Sequence, residues 1–188
     1  MTTYVALLAA VNVGKRKVPM ADLRELLTGL GHTDVRTYLA SGNAVFATED
    51  GIGESVEAAA EAIGAQISAA LEERFGFAVQ CVVVTGDYLN AVISDCPFPA
   101  EKLTGKQLHA VFYSVPVSAD RYVDIDQEAF LPEEFRLGDR VMYLYLPDGI
   151  GRSGLAAALA KPASRLKGIC ATARNWNTVA ALAEMAAG

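Results

Sequence analysis

The chain spells the same order of elements twice, and this repetition limits its folds more than any single motif. Thr3 to Ala10 is a short apolar run ending in the polar turn Asn12-Val13-Gly14-Lys15-Arg16-Lys17, the pattern of a buried strand. Pro19 suits the first turn of a helix, Leu23, Leu26, Leu27 and Leu30 recur at helical spacing, and Gly31 closes it. Val35 to Ala40 and Ala44 to Thr48 read as strands joined through Ser41-Gly42-Asn43, where Gly and Asn tolerate a positive φ. Residues 54 to 74 predict a long helix with Val56, Ile63, Ile67 and Leu71 on one stripe, and Phe77 to Val84 predicts the next strand.

That order, β-α-β-β-α-β, is the split βαβ or ferredoxin-like plait. After a short helix around Tyr88 to Ile93 and the linker Cys96-Pro97-Phe98-Pro99, the second half repeats it. A strand at Leu108 to Val115 is followed by a helix near Ala119 to Phe130 and by strands at Phe135 to Leu137 and Val141 to Leu146 around Gly138-Asp139. Asp-Gly-Ile-Gly follows each hairpin, at Asp50 to Gly53 and Asp148 to Gly151, and leads each time into an alanine-rich helix. A strand near Ile169 to Thr172 and a helix from about Asn175 to Ala186 close the chain. The expected fold is α+β: two tandem ferredoxin-like (βαββαβ) subdomains, residues 1–84 and 85–188, related by internal duplication.

Charge is distributed unevenly. The formal net charge is −6, yet residues 1–50 hold five basic and five acidic side chains, residues 51–150 six and sixteen, and residues 151–188 five and one. The acidic middle reads as a solvated face. The basic end consists of Arg152, Lys161, Arg165, Lys167 and Arg174, which flank Asp148-Gly149-Ile150-Gly151-Arg152-Ser153 and Thr172-Ala173-Arg174-Asn175-Trp176-Asn177-Thr178. Helix starts present unpaired N–H groups and partial positive charge, so Arg, Ser and Asn beside them suggest a pocket for a small anion. A pI of about 4.9 and strands without an aromatic-rich motif make nucleic acid an unfavoured partner.

Several chemistries are excluded by spacing. A P-loop would need Gly at position 9 and Ser or Thr at 16, where the chain has Ala9 and Arg16. Gly149 to Gly154 satisfies G-x-G-x-x-G, but no Asp or Glu stands about twenty residues on to hold a ribose. Cys81, Cys96 and Cys170 form no C-x-x-C pair, and His32 and His109 no useful pair, so neither metal nor cofactor is expected and no general acid or base is assigned. The cysteine usage suits a reducing, cytoplasmic compartment. The apolar run Tyr4 to Val11 is too short for a membrane span, and Lys15, Arg16 and Lys17 follow rather than precede it, so no signal peptide or membrane partner is expected.

Five segments together carry a resemblance. Leu7 to Lys15, Val18 to Arg24, Tyr38 to Phe46, Gly151 to Leu155 and Thr172 to Asn175 are similar to the Leu-Leu-Arg-Gly-Ile-Asn-Val-Gly-Gly-like loop, Val-Pro-Met-x-x-Leu-Arg, Tyr-x-x-Ser-Gly-Asn-x-x-Phe, Gly-Arg-Ser-Lys-Leu-like and Thr-x-Arg-Asn motifs of a bacterial domain-of-unknown-function family. The resemblance runs end to end and implies two related plait-type subdomains, without an established activity. The chain departs from it at Ala9 and Ala10, where Arg-Gly is usual, at Lys15, where a second Gly is usual, and at Gly154, where Lys is usual.

The resulting expectation is a cytoplasmic protein that binds a phosphate- or carboxylate-bearing ligand in a cleft between its subdomains. Asn12, Lys15, Ser41, Asn43, Arg152, Ser153, Arg174 and Asn175 are its candidate ligand-binding residues. Nucleic-acid binding and a structural role as a homodimer module stand as alternatives.

Overall fold

The computed structural model describes residues 1–49 and 55–188; the Asp50 to Gly53 tetrapeptide lies outside the described residues. Contacts group Met1–Asn90 with Leu182–Gly188 as one unit and Ala91–Ala181 as another. Each contains a four-stranded antiparallel sheet, and the fold is α+β.

The first unit contains β1 (Thr2–Leu8), α1 (Met20–Gly29), β2 (Thr33–Tyr38), β3 (Asn43–Thr48), α2 (Val56–Phe75), β4 (Cys81–Thr85) and the start of α3 (Gly86–Ser94). Its sheet order is β2-β3-β1-β4. Helix α2 begins where Ser55 accepts the Ala58 N–H at 3.1 Å and ends at Gly76, whose φ of +74° lets its N–H reach the Glu72 carbonyl. Ile63, Ile67 and Leu71 are buried by that helix as expected, but Val56 is 47% exposed because it sits in the first turn, beyond the core. With Leu23 and Leu27 of α1 they cover Tyr4, Ala6, Leu8, Phe46 and Val83. Each fully buried Leu or Ile contributes roughly 1.5–3 kcal/mol. The opposite face, Val5, Leu7, Val45, Val82 and Val84, is buried too, which is why β1 reads as an unbroken apolar run.

The second unit contains β5 (Leu108–Tyr113), β6 (Glu134–Gly138), β7 (Val141–Tyr145), α4 (Gly154–Leu159), β8 (Ala171–Asn175) and the start of α5 (Trp176–Ala187), in sheet order β6-β7-β5-β8. Leu155 and Leu159 of α4 pack with Tyr113, Phe135, Met142 and Leu144 on one sheet face. The helix expected over Ala119 to Phe130 is instead two 3-10 turns, Ala119–Tyr122 and Gln127–Phe130. Ser118 and Asp126 each cap their own turn, at Asp120 N and Glu128 N, and Val123 between them is 80% exposed. Short polar side chains bonding to nearby backbone thus break the segment into pieces, although Tyr122, Ile125 and Phe130 still pack on the core.

A long-range ion pair holds this irregular segment down. Arg165, 8% exposed, meets Asp124 bidentately at 2.6 and 2.7 Å, donates through Nε to the Lys161 carbonyl at 2.9 Å, and lies 5.2 Å over the Tyr122 ring. The Tyr122 hydroxyl is 2.8 Å from that of Tyr113 in the core. Hydrogen bonds from Arg165 hold the Asp124 carboxyl below its usual range.

Candidate functional site

In the first unit, three of the four candidate residues are tied up within their own loops. Asn12, itself at φ +55°, accepts the Val18 N–H at 2.9 Å and donates to the carbonyls of Val18 at 3.0 Å and Ala40 at 2.5 Å. It closes the loop between β1 and α1 and ties it to the β2–β3 connection. Asn43 is fully buried and donates to the Tyr38 carbonyl at 2.7 Å and the Ser41 hydroxyl at 2.9 Å. Between them Gly42 has φ +83°, and an added Cβ would lie 2.6 Å from Val11 and 2.8 Å from Leu8. The positive φ expected of Asn43 falls on Leu39 instead, at +56°, because Asn43 is already the first residue of β3.

Lys15 stays exposed at the tip of the Val13–Arg16 turn. Its neighbour Arg16 is drawn inward, over the Phe77 ring at 5.4 Å and onto the Ala78 carbonyl.

The second-unit motifs gather at one end of its sheet, around residues 104–107. Gly149 stands with its Cβ position 3.7 Å from the Lys106 carbonyl, Leu146 donates to the Gln107 carbonyl at 2.7 Å, and Trp176 donates to that of Gly105 at 3.4 Å. Gly105 itself has no room for a side chain against the Asn177 amide.

The helix starts here are answered from within. Ser153 caps α4 by accepting the Ala156 N–H at 2.8 Å, and the Glu133 carboxylate accepts that of Leu155 at 2.8 Å. Asn175 caps α5 by accepting the Thr178 N–H at 3.0 Å. Trp176 is 9% exposed, with its ring 6.3 Å from that of Tyr143, so it packs in the core. Of the glycines in Gly149 to Gly154, only Gly149 has a positive φ, at +82°, and a Cβ at Gly151 would meet open space.

The two arginines differ sharply. Arg174 is 7% exposed and donates to the Thr172 hydroxyl at 2.6 Å and the Ala173 carbonyl at 2.9 Å. It leaves β8 on the sheet face of its register partner Ala110, shared with Tyr143, whereas α4 packs on the other face with Met142 and Leu144. The structure does not join the Arg174 side chain to the helix that Arg152 precedes. Arg152 is exposed and makes no side-chain hydrogen bond or ion pair among the described residues.

His32 and His109 are 4% and 7% exposed, and burial lowers both imidazole pKa values. His32 Nδ1 is 2.7 Å from the Thr48 hydroxyl, while His32 Nε2 and His109 Nδ1 are buried without partners. Burial also pushes the Cys96 and Cys170 thiols up, with Arg174 opposing the rise at Cys170. No cluster of three His, Cys, Asp or Glu that could hold a metal occurs among the described residues. No helix among them is long and apolar enough to cross a membrane. Sequence reasoning does not find Glu133, which caps α4 from another part of the chain, or Asp124, the partner of Arg165.

Over its full length the chain is similar to the solved structure described as conserved bacterial protein SP0830 from Streptococcus pneumoniae, at 23% identity and a TM-score of 0.69, covering 100% of this chain and 99% of that one. No curated protein matches it. Residues 1–143 match the family described as protein of unknown function DUF1697, a span that contains the first sheet and, from the second, β5, β6 and the start of β7. The chain belongs to that family.

Proposed function

We propose that the chain is a cytoplasmic binding protein for a small phosphate- or carboxylate-bearing ligand, built from two ferredoxin-like repeats that arose by internal duplication. The duplication is supported by the strand order, second-third-first-fourth in both sheets with antiparallel neighbours throughout. The departures of the second repeat are local: its first crossover lacks a helix, and its hairpin turns through Asp139-Arg140 where the first uses residues 39–42.

Arg152 carries the functional reading. It is an exposed, unpartnered guanidinium beside a capped helix start, at the sheet end where the 149–153 and 174–177 motifs and Lys106 meet the same loop. Ser153 and Asn175 serve by holding that loop cluster in shape, as Asn12, Ser41 and Asn43 hold the loop that presents Lys15. A guanidinium so placed suits a planar or tetrahedral oxyanion. Base stacking on the far side of the second sheet is disfavoured because its aromatics Phe112 and Tyr143 are 1% and 3% exposed.

The test is a titration of the full chain with inorganic phosphate and, separately, acetate, followed by backbone amide shifts. Saturable shifts confined to residues 104–107 and 149–153 support the reading. Their absence up to about 50 mM, far above the range of useful affinity, ends it.

A further inference from the structure

A second feature of the first unit, independent of the Arg152 region, has the makings of a ligand site. A hollow of about 460 Å³ opens over the sheet face away from α1 and α2, within the size range of small-molecule sites. Thr3 and Ala47, cross-strand partners on β1 and β3, line it with short side chains, and Gly188 lines it without one. Asp34 and Arg36 line it from the edge strand β2 together with Val35.

The charges are the informative part. Residues two apart on a regular strand share a face, so Asp34 and Arg36 are sequence-matched for an ion pair. They form none among the described residues, because the register of β2 against β3 shifts between Thr33 and Arg36 and Asp34 takes φ +51°. Bulges of this kind re-aim side chains, and the left-handed conformation is costly for a residue with a side chain. Arg36 donates through Nη2 to the Met185 carbonyl at 2.6 Å, which braces the guanidinium and leaves its other N–H groups without a described partner. The Asp34 carboxylate has none either. One wall of a single hollow therefore presents an anion and a braced cation held apart from each other, above a small, weakly polar floor.

We propose that this hollow binds a small zwitterion of the free α-amino-acid type, its carboxylate on Arg36, its ammonium on Asp34 and its side chain over Thr3 and Ala47. Both protein charges are solvent-accessible, so the dissociation constant is on the order of 1 mM. A ligand carrying only one of the charges satisfies one wall group and faces the other unmatched, which makes single-charge compounds poor ligands.

The experiment is an amide-shift titration of the full chain with L-alanine, with acetate and methylammonium as single-charge controls, on the wild type and on D34N and R36Q. The expected result is saturable shifts at Thr3, Asp34 to Arg36 and Ala47 with L-alanine, none with either control, and about tenfold weaker binding in each variant. Asn tolerates the left-handed conformation and Asp34 supports no other group, so D34N tests the charge without disturbing the fold, whereas R36Q also loosens Met185. Equal binding of acetate, unchanged binding in D34N, or no saturable shift at these residues overturns the proposal. Shifts at residues 104–107 or 149–153 report the Arg152 region and leave the two sites distinguishable.

Discussion

The loops at Asn12 and Ser41-Gly42-Asn43 and the segments at Arg152-Ser153 and Arg174-Asn175 look alike as sequence, each a short run of amide, hydroxyl or guanidinium side chains next to an element boundary. In the first unit the amides turn inward: Asn12 and Asn43 spend their side chains on four backbone groups and one hydroxyl. In the second unit the amide and hydroxyl residues cap helices, Glu133 supplies the internal anion, and one guanidinium, Arg152, is left exposed. The difference separates residues that shape a loop from residues that a shaped loop can offer to a ligand. Among polar motif residues, amides and hydroxyls are short enough to be absorbed by neighbouring backbone, whereas an arginine at a turn tip reaches past it.

That contrast is open to mutation. The largest effect is expected for Gly42→Ala, which combines a left-handed backbone with overlap at Val11 and Leu8; a loss of about 3 kcal/mol, or roughly 6–12 °C in thermal midpoint, is expected in a melting experiment. Asn43→Ala removes a fully buried amide together with its bonds to the Tyr38 carbonyl and the Ser41 hydroxyl, and should cost roughly 2 kcal/mol by denaturant unfolding. A near-neutral result for either would mean that the first-unit loops are not locked.

Arg165→Ala should lower the midpoint by roughly 5 °C, because the cation that braces Asp124 and Tyr122 is gone. The same pair has a pH signature. The folded pKa of Asp124 lies below its unfolded value, so its contribution is complete above about pH 4 and is lost as pH falls through the lowered folded value. The buried histidines act in a higher window. Their folded pKa values lie below about 6.5, so the stability they contribute as neutral groups is complete above that pH and is lost as pH falls through the folded values. His109→Leu should flatten the decline of unfolding free energy that sets in as pH falls below about 6.5. An unchanged slope contradicts the burial of that imidazole.

A smaller effect of opposite sign is expected at Ala10, which sits at φ +53° where the family-like motif has glycine. Ala10→Gly should stabilise the protein by about 1 kcal/mol, since an alanine is strained in the left-handed region. A loss of stability would show that the backbone there is set by something other than this loop.

Much of the architecture is written in local periodicity. Leucines at helical spacing mark α1, the unbroken run Val5 to Leu8 marks a strand buried on both faces, and Gly31 and Gly76 end helices at positive φ. What could not be read depends on partners far along the chain. Asp124 and Arg165 are 41 residues apart, and Glu133 caps a helix start 22 residues later. The period-2 pattern of Ala171 to Asn175 also misleads about its buried side: the alanines look like the core face, yet Thr172 and Arg174 are buried and Ala173 is exposed. At residues 119–130 the helical spacing of Tyr122, Ile125 and Phe130 predicts a helix, and local bonds from Ser118 and Asp126 divide it into two turns instead. For the proposed site, the sequence placed both arginines in similar motifs and could not distinguish the buried Arg174 from the exposed Arg152.

The most direct test compares Arg152→Ala with Arg174→Ala in phosphate titration and thermal melting. Arg152 has no described partner to lose, so its removal should leave the midpoint within about 1 °C while weakening phosphate binding about tenfold. Arg174 is buried and hydrogen-bonded, so its removal should lower the midpoint by several degrees. Unchanged phosphate binding in Arg152→Ala, with or without a fall in its midpoint, would contradict the assignment of that guanidinium to a ligand.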